Sequence, residues 1–367
     1  MGGRDIGIAL GDGHPGPNNS ITDVPGVRVG HTTLIAGDGP LSVGRGPIRT
    51  GVTVILPHDG PAGREPLFAG CHRLNGNGEL TGLEWIRESG LLQSPIALTN
   101  THSLGVVRDA LITAEVRSRP ATDLYWRLPV VGETWDGILN DINGQHIRPE
   151  HAWQALERAT SGPVQEGNVG GGTGMICHGF KGGIGTASRV LPSSSGGFTL
   201  GVLVQANHGR RERLSIRGVP IGQRIPAEEV PVPEPPSLSV QGLGSIIVVV
   251  ATNAPLLPHQ CTRLAQRAGL GIARTGGVGE HWSGDLFLAF STANRGIPSS
   301  EYPGSYPLTT TVTMLVDAYI SDLFESVVEA TEEAIVNALL AAQTMTGRDG
   351  ITAFRLDPQR LAAEMAK

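Results

Sequence analysis

The 367-residue chain is poor in aromatic residues, in cysteine and in excess positive charge. Aromatics make up only 4% of it, so small and branched aliphatic side chains must fill the core. The formal net charge of −6 gives no basic face for nucleic acid or for an anionic membrane surface. The three cysteines (Cys71, Cys177 and Cys261) are an odd number without a CxxC pair, which predicts reduced, mostly buried thiols and favours a cytoplasmic location.

Several common motifs are also missing. No run reaches the roughly 20 apolar residues that a membrane span needs. There is no HExxH and no Cys/His cluster at ligand spacing, so we predict no metal site and interpret His102, His178 and His208 as structural histidines. A GxSxG elbow is absent, and the glycine loop 166–174 fits neither GxGxxG nor the Walker pattern. No cofactor is predicted.

Glycine and proline, by contrast, are abundant and spread along the whole chain, at 52 and 26 residues. Interleaved with Val/Ile runs, they indicate many short strands and tight turns around one large core, and therefore a single domain. Strand patterns occupy 197–207, 246–250, 286–290 and 309–316, and helical patterns occupy 101–112, 258–268 and 323–339. Strands in runs with helices collected separately predict an α+β fold, with two sheets packed face to face between helices.

The chain is organised around the stretch 240–251. Just before it, residues 226–236 contain five prolines and three glutamates, a composition typical of an exposed, semi-rigid connector. Ile246–Val250 is an unbroken β-branched run, which predicts a strand buried on both faces. Ser245 thus lies where an exposed connector meets a core strand.

Cleavage of the Gly244–Ser245 bond would make Ser245 a new N-terminus with its hydroxyl and amine side by side. An N-terminal hydroxyl residue can use an amine as its base, and an α-amine has a reference pKa near ~8. A turn before a strand would explain the same Gly-Ser pair without any cleavage.

Other polar residues gather at predicted strand ends: Glu133, Asn207, Ser283 and Asp285. Ser283 and Asp285 alternate before a strand, so both can face one side of it. Taken singly, each of the four also fits a purely structural role.

Four segments together resemble the L-aminopeptidase/D-esterase–amidase family, which includes the bacterial β-aminopeptidases. They are 99–109 (TNTHSLGVVRD), 166–175 (EGNVGGGTGM), 242–247 (GLGSII) and 283–294 (SGDLFLAFSTAN). The similarity covers nearly the whole chain in the family's order. It implies an αββα sandwich layered like N-terminal-nucleophile hydrolases with different connectivity. It also implies self-cleavage into an α chain of 1–244 and a β chain of 245–367, and a homo-oligomer, a tetramer of αβ units.

The resemblance also assigns roles to single residues. Ser245 takes the place of the nucleophile, Ser283 that of the family's second serine and Asp285 that of its acidic partner, which is Glu in some members. Asn207 matches the oxyanion donor, and Glu133 the carboxylate that binds the substrate's free amine. Trp135 stands at a variable pocket position where some relatives carry Tyr.

We therefore predict a self-processed serine aminopeptidase that releases N-terminal residues from short peptides, amides or esters. One alternative is an ornithine-acetyltransferase-like acyltransferase, which also self-cleaves but uses Thr. The other is a non-catalytic binding protein of the same fold. The sequence leaves open whether the general base is the α-amine or Ser283. It also leaves open which substrate is hydrolysed, whether L or D residues are preferred, and whether α- or β-residues are preferred.

Overall fold

Two β-sheets stacked face to face form the centre of the protein, in a computed structural model that describes residues 2–122, 125–234, 244–298 and 307–367. In the described chain the smaller sheet has the order β1-β2-β5-β6 and the larger β4-β3-β12-β11-β10-β9. The smaller sheet contains β1 (Arg28–Ala36), β2 (Ile48–Leu56), β5 (Ile96–Asn100) and β6 (Val130–Thr134). The larger contains β3 (Leu67–Gly76), β4 (Leu91–Leu92), β9 (Gly183–Val190), β10 (Thr199–Asn207), β11 (Gly244–Thr252) and β12 (Ser283–Ser291).

Helices cover the outer face of each sheet. Helices α2 (Leu104–Arg117) and α3 (Pro149–Glu157) pack on the smaller sheet, and α5 (Pro258–Arg274) and α6 (Ser321–Ala341) pack on the larger. The predicted αββα layering is confirmed. The remaining elements are α1 (Leu83–Ser89), α4 (Ile221–Arg224) and α7 (Pro358–Met365), with the short hairpins β7 (Ile176–Cys177)–β8 (Phe180–Lys181) and β13 (Met345–Thr346)–β14 (Thr352–Ala353).

Strand β11 lies between two hydrophobic cores, as its composition predicts. Ile246, Val248 and Val250 face the core under α5 and α6, whereas Ile247, Val249 and Ala251 face the core between the sheets. All six are fully buried. Burial of each Val or Ile side chain stabilises the fold by roughly 1.5–3 kcal/mol, so the strand is held firmly on both faces.

Two sequence predictions are wrong in detail. Residues 309–316 form no strand: they are exposed, apart from half-buried Leu315. Helix α6 is present, but it is buried nearly all round rather than amphipathic. Its Glu329 and Glu333 form ion pairs with the buried Arg189, each at 2.8 Å, which compensates the burial of these charges.

The predicted connector is described as far as Glu234, and it is largely exposed over 226–234. Residues 235–243, which include the end of the connector and the start of the stretch 240–251, lie outside the described residues. Within the described ranges, no helix has both the length and the apolar character required to cross a membrane.

Candidate active site

A cavity of about 490 Å³ opens beside the start of β11. It brings together four of the predicted site residues: Gly244 and Ser245 from β11, Glu133 from β6 of the other sheet, and Trp135 just after β6. The rest of its described lining is Gly76, Asn77, Gly78, Glu79, Thr101 and Trp282. The other three predicted site residues, Asn207, Ser283 and Asp285, are not among the residues that line it.

The backbone around Gly244 requires glycine. Its φ of 152° lies in the region that favours glycine, and a Cβ there would lie 1.8 Å from the carbonyl oxygen of Asn207. Ser245 is paired with Asn207 on β10 and with Gly284 on β12. The bond between Gly244 and Ser245 is therefore held in one conformation by both neighbouring strands.

The hydroxyl of Ser245 accepts a hydrogen bond from the Gly284 N–H, at 3.1 Å. Sequence reasoning missed Gly284, although it lies between the two predicted residues Ser283 and Asp285. A Cβ at this position would lie 2.5 Å from the Asn77 carbonyl oxygen. Only glycine lets this N–H approach Ser245 beside the loop 76–79, and a glycine between two polar residues was the available signal.

Ser283 and Asp285 lie on one side of β12, as their alternation predicts, and the Ser283 hydroxyl donates to Asp285 Oδ1 at 2.6 Å. The parallel register pairs Ser245 with Gly284 and Ile246 with Asp285. Paired residues point to the same face of a sheet. Ser283 and Asp285 therefore share the helix-facing side with Ile246, while the Ser245 hydroxyl shares the inter-sheet side with Ile247.

Burial disfavours the charged form of Asp285. Burial raises its pKa from 3.8 to about 6, although hydrogen bonds from the Ser283 hydroxyl and the Ile246 N–H act in the opposite direction. The Ile246 amide follows Ser245 directly. The carboxyl group thus lies against the backbone of Ser245, on the far side of the strand from its hydroxyl.

Glu133 occupies the opposite wall of the cavity and is 3% exposed. Its Oε1 accepts from the Glu79 N–H at 2.9 Å, and its Oε2 accepts from the Thr101 hydroxyl. Burial raises its pKa, while these two donors favour the charged form. A carboxylate fixed in this way can receive a cationic group that enters the cavity. The role of Thr101 was missed, although it lies in the quoted segment 99–109.

The Asn207 side chain is oriented at both ends. Its Oδ1 accepts from the Ile176 N–H at 2.8 Å, and its Nδ2 donates to the Trp135 carbonyl oxygen at 3.0 Å. An amide nitrogen carries two hydrogens, so one further donor is available. The structure therefore places Asn207 directly opposite Ser245, with its side chain in a fixed orientation.

The three histidines that the sequence analysis interprets as structural lie in different surroundings. His102 is exposed, and the buried His178 and His208 each have an Nε2 atom without a hydrogen-bond partner among the described residues. Together with Cys177 they form a buried group whose potential ligand atoms lie within 4.8 Å of one another. The sequence spacing hides this cluster, because Cys177 and His208 are 31 residues apart.

Comparison with known proteins identifies the family of the chain. A family model, peptidase family S58, matches residues 19–353. The chain belongs to this family. Over 373 aligned residues it is 48% identical to the beta-peptidyl aminopeptidase BapA of Sphingosinicella microcystinivorans, covering 99% of this chain and 91% of that protein.

Two solved structures are similar over the whole chain. A Burkholderia sp. beta-aminopeptidase shares 55% identity with a TM-score of 0.92, covering 100% of this chain and 98% of that one. The L-aminopeptidase D-Ala-esterase/amidase of Ochrobactrum anthropi shares 45% identity with a TM-score of 0.89, over 100% and 98%. The latter is described as a prototype of the serine aminopeptidases and a new variant of the Ntn hydrolase fold.

The family resemblance stated from the sequence, the fold and the prediction of a serine aminopeptidase are thereby confirmed. The acyltransferase and binding-protein alternatives find no support in these comparisons. The cleavage position and the roles of the individual site residues stay predictions.

Proposed function

We propose that the chain cuts itself between Gly244 and Ser245 and then acts as an N-terminal serine aminopeptidase. One observation carries the proposal: Ser245, the second residue of the fully buried central strand β11, lines a cavity that is also lined by the buried carboxylate Glu133. A nucleophile and an anion for the substrate's ammonium group are the two features that an aminopeptidase of this kind needs.

Self-cleavage requires the Ser245 hydroxyl to attack the carbonyl carbon of Gly244. The C–N bond then breaks, the nitrogen takes up the hydroxyl proton, and Gly244 is held to Ser245 Oγ as an ester. Water hydrolyses this ester, which leaves a carboxylate on Gly244 and a free amine on Ser245. The enforced conformation of Gly244 supports this step, because it holds the reacting groups in one orientation.

In turnover, we assign the general base to the α-amine of Ser245. The amine takes the hydroxyl proton as Oγ attacks the substrate carbonyl, and it returns the proton to the leaving amine. Water then releases the acyl group. The second Asn207 N–H is the donor for the oxyanion, and loss of such a donor typically costs ~3 kcal/mol. The Gly284 N–H instead orients the attacking Ser245 oxygen.

Ser283 and Asp285 act through this amine rather than on the hydroxyl. They lie on the other face of the strand, against the backbone at Ser245 and Ile246. From there the hydrogen-bonded pair stabilises the ammonium that forms when the amine accepts a proton. We propose that these two are positioning residues for the base.

The substrate we propose is a short peptide, amide or ester with a free N-terminal amine, preferably on a β-residue. One relative is named a beta-peptidyl aminopeptidase and another a beta-aminopeptidase, and Glu133 lines the cavity as the ammonium site. Matched β-alanyl, L-alanyl and N-acetyl-β-alanyl p-nitroanilides test this proposal. We expect the β-alanyl compound to react fastest and the acetylated one to be nearly inert. Equal rates for free and acetylated substrates would overturn the ammonium site.

We also propose a homo-oligomer of αβ units in the cytoplasm. The exposed segment 307–319 carries Leu308, Met314, Val316 and Tyr319, at 104, 47, 57 and 67% exposure, and such a patch is typical of an interface. The three cysteines are buried and free, which fits a reducing compartment. Light scattering should give the mass of an oligomer, and Val316→Asp should lower it. Cell fractionation tests the location.

A further inference from the structure

Cys177, His178 and His208 form a buried cluster directly behind Asn207. One potential ligand atom of each lies within 4.8 Å of the others, and the distance from Cys177 Sγ to His208 Nδ1 is 3.8 Å. We propose that these three side chains bind one transition-metal ion of the zinc class, at a site separate from the Ser245 cavity.

The donor atoms suit such an ion. Thiolate and neutral imidazole are the ligands that Zn²⁺ takes most often, at about 2.3 Å for sulfur and about 2.0 Å for nitrogen. Tetrahedral coordination at these bond lengths places neighbouring ligand atoms about 3.5 Å apart. The Cys177–His208 distance of 3.8 Å is within about 0.3 Å of this spacing, and His178, whose ligand atom lies within 4.8 Å of the other two, must move by at most about 1.3 Å. Three protein ligands leave a fourth position for another donor.

His178 is held as a metal ligand would be. Its Nδ1 is 3.1 Å from the Arg210 carbonyl oxygen, which can only accept, so Nδ1 carries the proton. Nε2 is then the unprotonated ring nitrogen, and it is buried without a hydrogen-bond partner among the described residues. Histidine ligands usually donate their other ring N–H to a carbonyl in this way, and a buried polar atom without a partner calls for an explanation.

The site would fix one wall of the catalytic centre. Cys177 follows Ile176, whose N–H holds Asn207 Oδ1 at 2.8 Å, and His208 follows Asn207. An ion shared by Cys177 and His208 therefore clamps both partners of that hydrogen bond. This consequence rests on the proposed role of Asn207, whereas metal binding does not depend on it.

The ion must be taken up during folding. His178 is fully buried, and a Cβ on the next residue, Gly179, would lie 2.8 Å from a methyl group of Val232 in the connector. On binding, the Cys177 thiol gives its proton to solvent and the thiolate takes the metal in its place. Loading by expression in metal-supplemented medium is thus preferable to adding metal to the folded protein.

The test uses the full chain expressed with Zn²⁺ or with Co²⁺, passed over a chelating resin and analysed for metal per chain. We expect about one ion per chain, and a thiolate-to-cobalt charge-transfer band in the Co²⁺ protein. Cys177→Ala should lack the charge-transfer band, and its metal content per chain should be at least tenfold lower than that of the wild type. Cys261→Ala, which removes another fully buried thiol, should keep both.

A second variant covers the case in which Cys177→Ala does not fold. His178 has a φ of 48°, which Asn tolerates, so His178→Asn keeps the backbone while removing the imidazole. Its metal content per chain should also be at least tenfold lower than that of the wild type. Wild-type protein that carries no more metal than either ligand variant, or a band that persists without Cys177, would overturn the proposal. Both results are independent of peptidase activity.

Discussion

Glu133 and Asp285 are two buried carboxyl groups beside the same serine, and they lie on opposite sides of its strand. Burial raises the pKa of both. Glu133 faces the cavity and accepts from a backbone N–H and a hydroxyl, whereas Asp285 lies on the helix side and accepts from Ser283 and the Ile246 N–H. In the function proposed above, similar desolvation thus accompanies two different roles: Glu133 binds the substrate's ammonium group, and Asp285 contacts the backbone next to the nucleophile.

The largest expected loss of activity comes from substitution of Ser245, which lies between the two carboxyl groups. Ser245→Ala should stay a single chain and lose activity by roughly 10⁶-fold, the scale for removing a serine nucleophile. Gel electrophoresis and p-nitroanilide turnover measure both effects. Ser245→Cys, which keeps a nucleophile of similar size, should still be cut. A Ser245→Ala chain that is cleaved at Gly244 would contradict the account.

Ser283→Ala tests the helix side of the comparison. We expect the processed variant to lose roughly 10² in kcat with little change in KM, the usual scale for a group that assists proton transfer. Ser291→Ala is the matched control, because Ser291 is also fully buried, lies at the other end of β12 and donates to the Ala254 carbonyl oxygen at 2.6 Å. That variant should lose stability but keep its kcat. Wild-type kcat in processed Ser283→Ala would make the pair purely structural.

Glu133→Gln tests the cavity side. A hydrogen bond to a charged group contributes about 1.5–3 kcal/mol, so KM should rise about tenfold or more while kcat changes little. KM of the wild type should also rise as the pH falls through the raised pKa of Glu133, because the protonated acid no longer attracts an ammonium ion. Glu79→Gln, an exposed carboxylate lining the same cavity, should have a smaller effect. A mainly kcat effect in Glu133→Gln would count against an ammonium site.

The smallest expected effect is a change in the free energy of unfolding caused by the burial of Asp285. We would measure it by introducing Asp285→Asn into the uncut Ser245→Ala chain. The folded-state pKa of about 6 exceeds the reference of 3.8, so the protonated group's stabilising contribution is full below pH 3.8 and is lost as the pH rises through 6. At pH 7.5 the neutral amide should raise the free energy of unfolding by about 1–3 kcal/mol. The gain in Tm, of a few degrees, should vanish near pH 4. An equal difference at both pH values would refute this role for burial.

Local sequence features predicted much of this arrangement. The β-branched run after Ser245 predicts a two-sided core strand, and the alternation of Ser283 and Asp285 places both on one face. Alternation cannot say which face of the sheet that is, because the register between β11 and β12 depends on residues about 40 positions apart. The resemblance assigned roles to Glu133 and Asn207, which stand at predicted strand ends, but it did not predict the hydrogen bond from the Gly284 N–H to Ser245.

The two predictions that failed, and the histidine–cysteine cluster that the sequence did not reveal, depend on long-range packing. Residues 309–316 have strand composition, yet no described strand pairs with them. Helix α6 shows an apolar stripe, but ion pairs with Arg189 allow its polar face to be buried as well. His178 and His208 meet Cys177 only because the turn after β7 and the end of β10 lie together. In each case the partner lies far away in the sequence, where periodicity carries no signal.

The intact mass of the purified wild-type protein tests the central claim most directly. We expect two chains, one ending at Gly244 and one beginning at Ser245, with the second carrying a free α-amine. Denaturing mass spectrometry of an active preparation reads both masses at once. A single full-length mass in a fully active preparation would contradict it, because Ser245 would then have no amine to serve as its base.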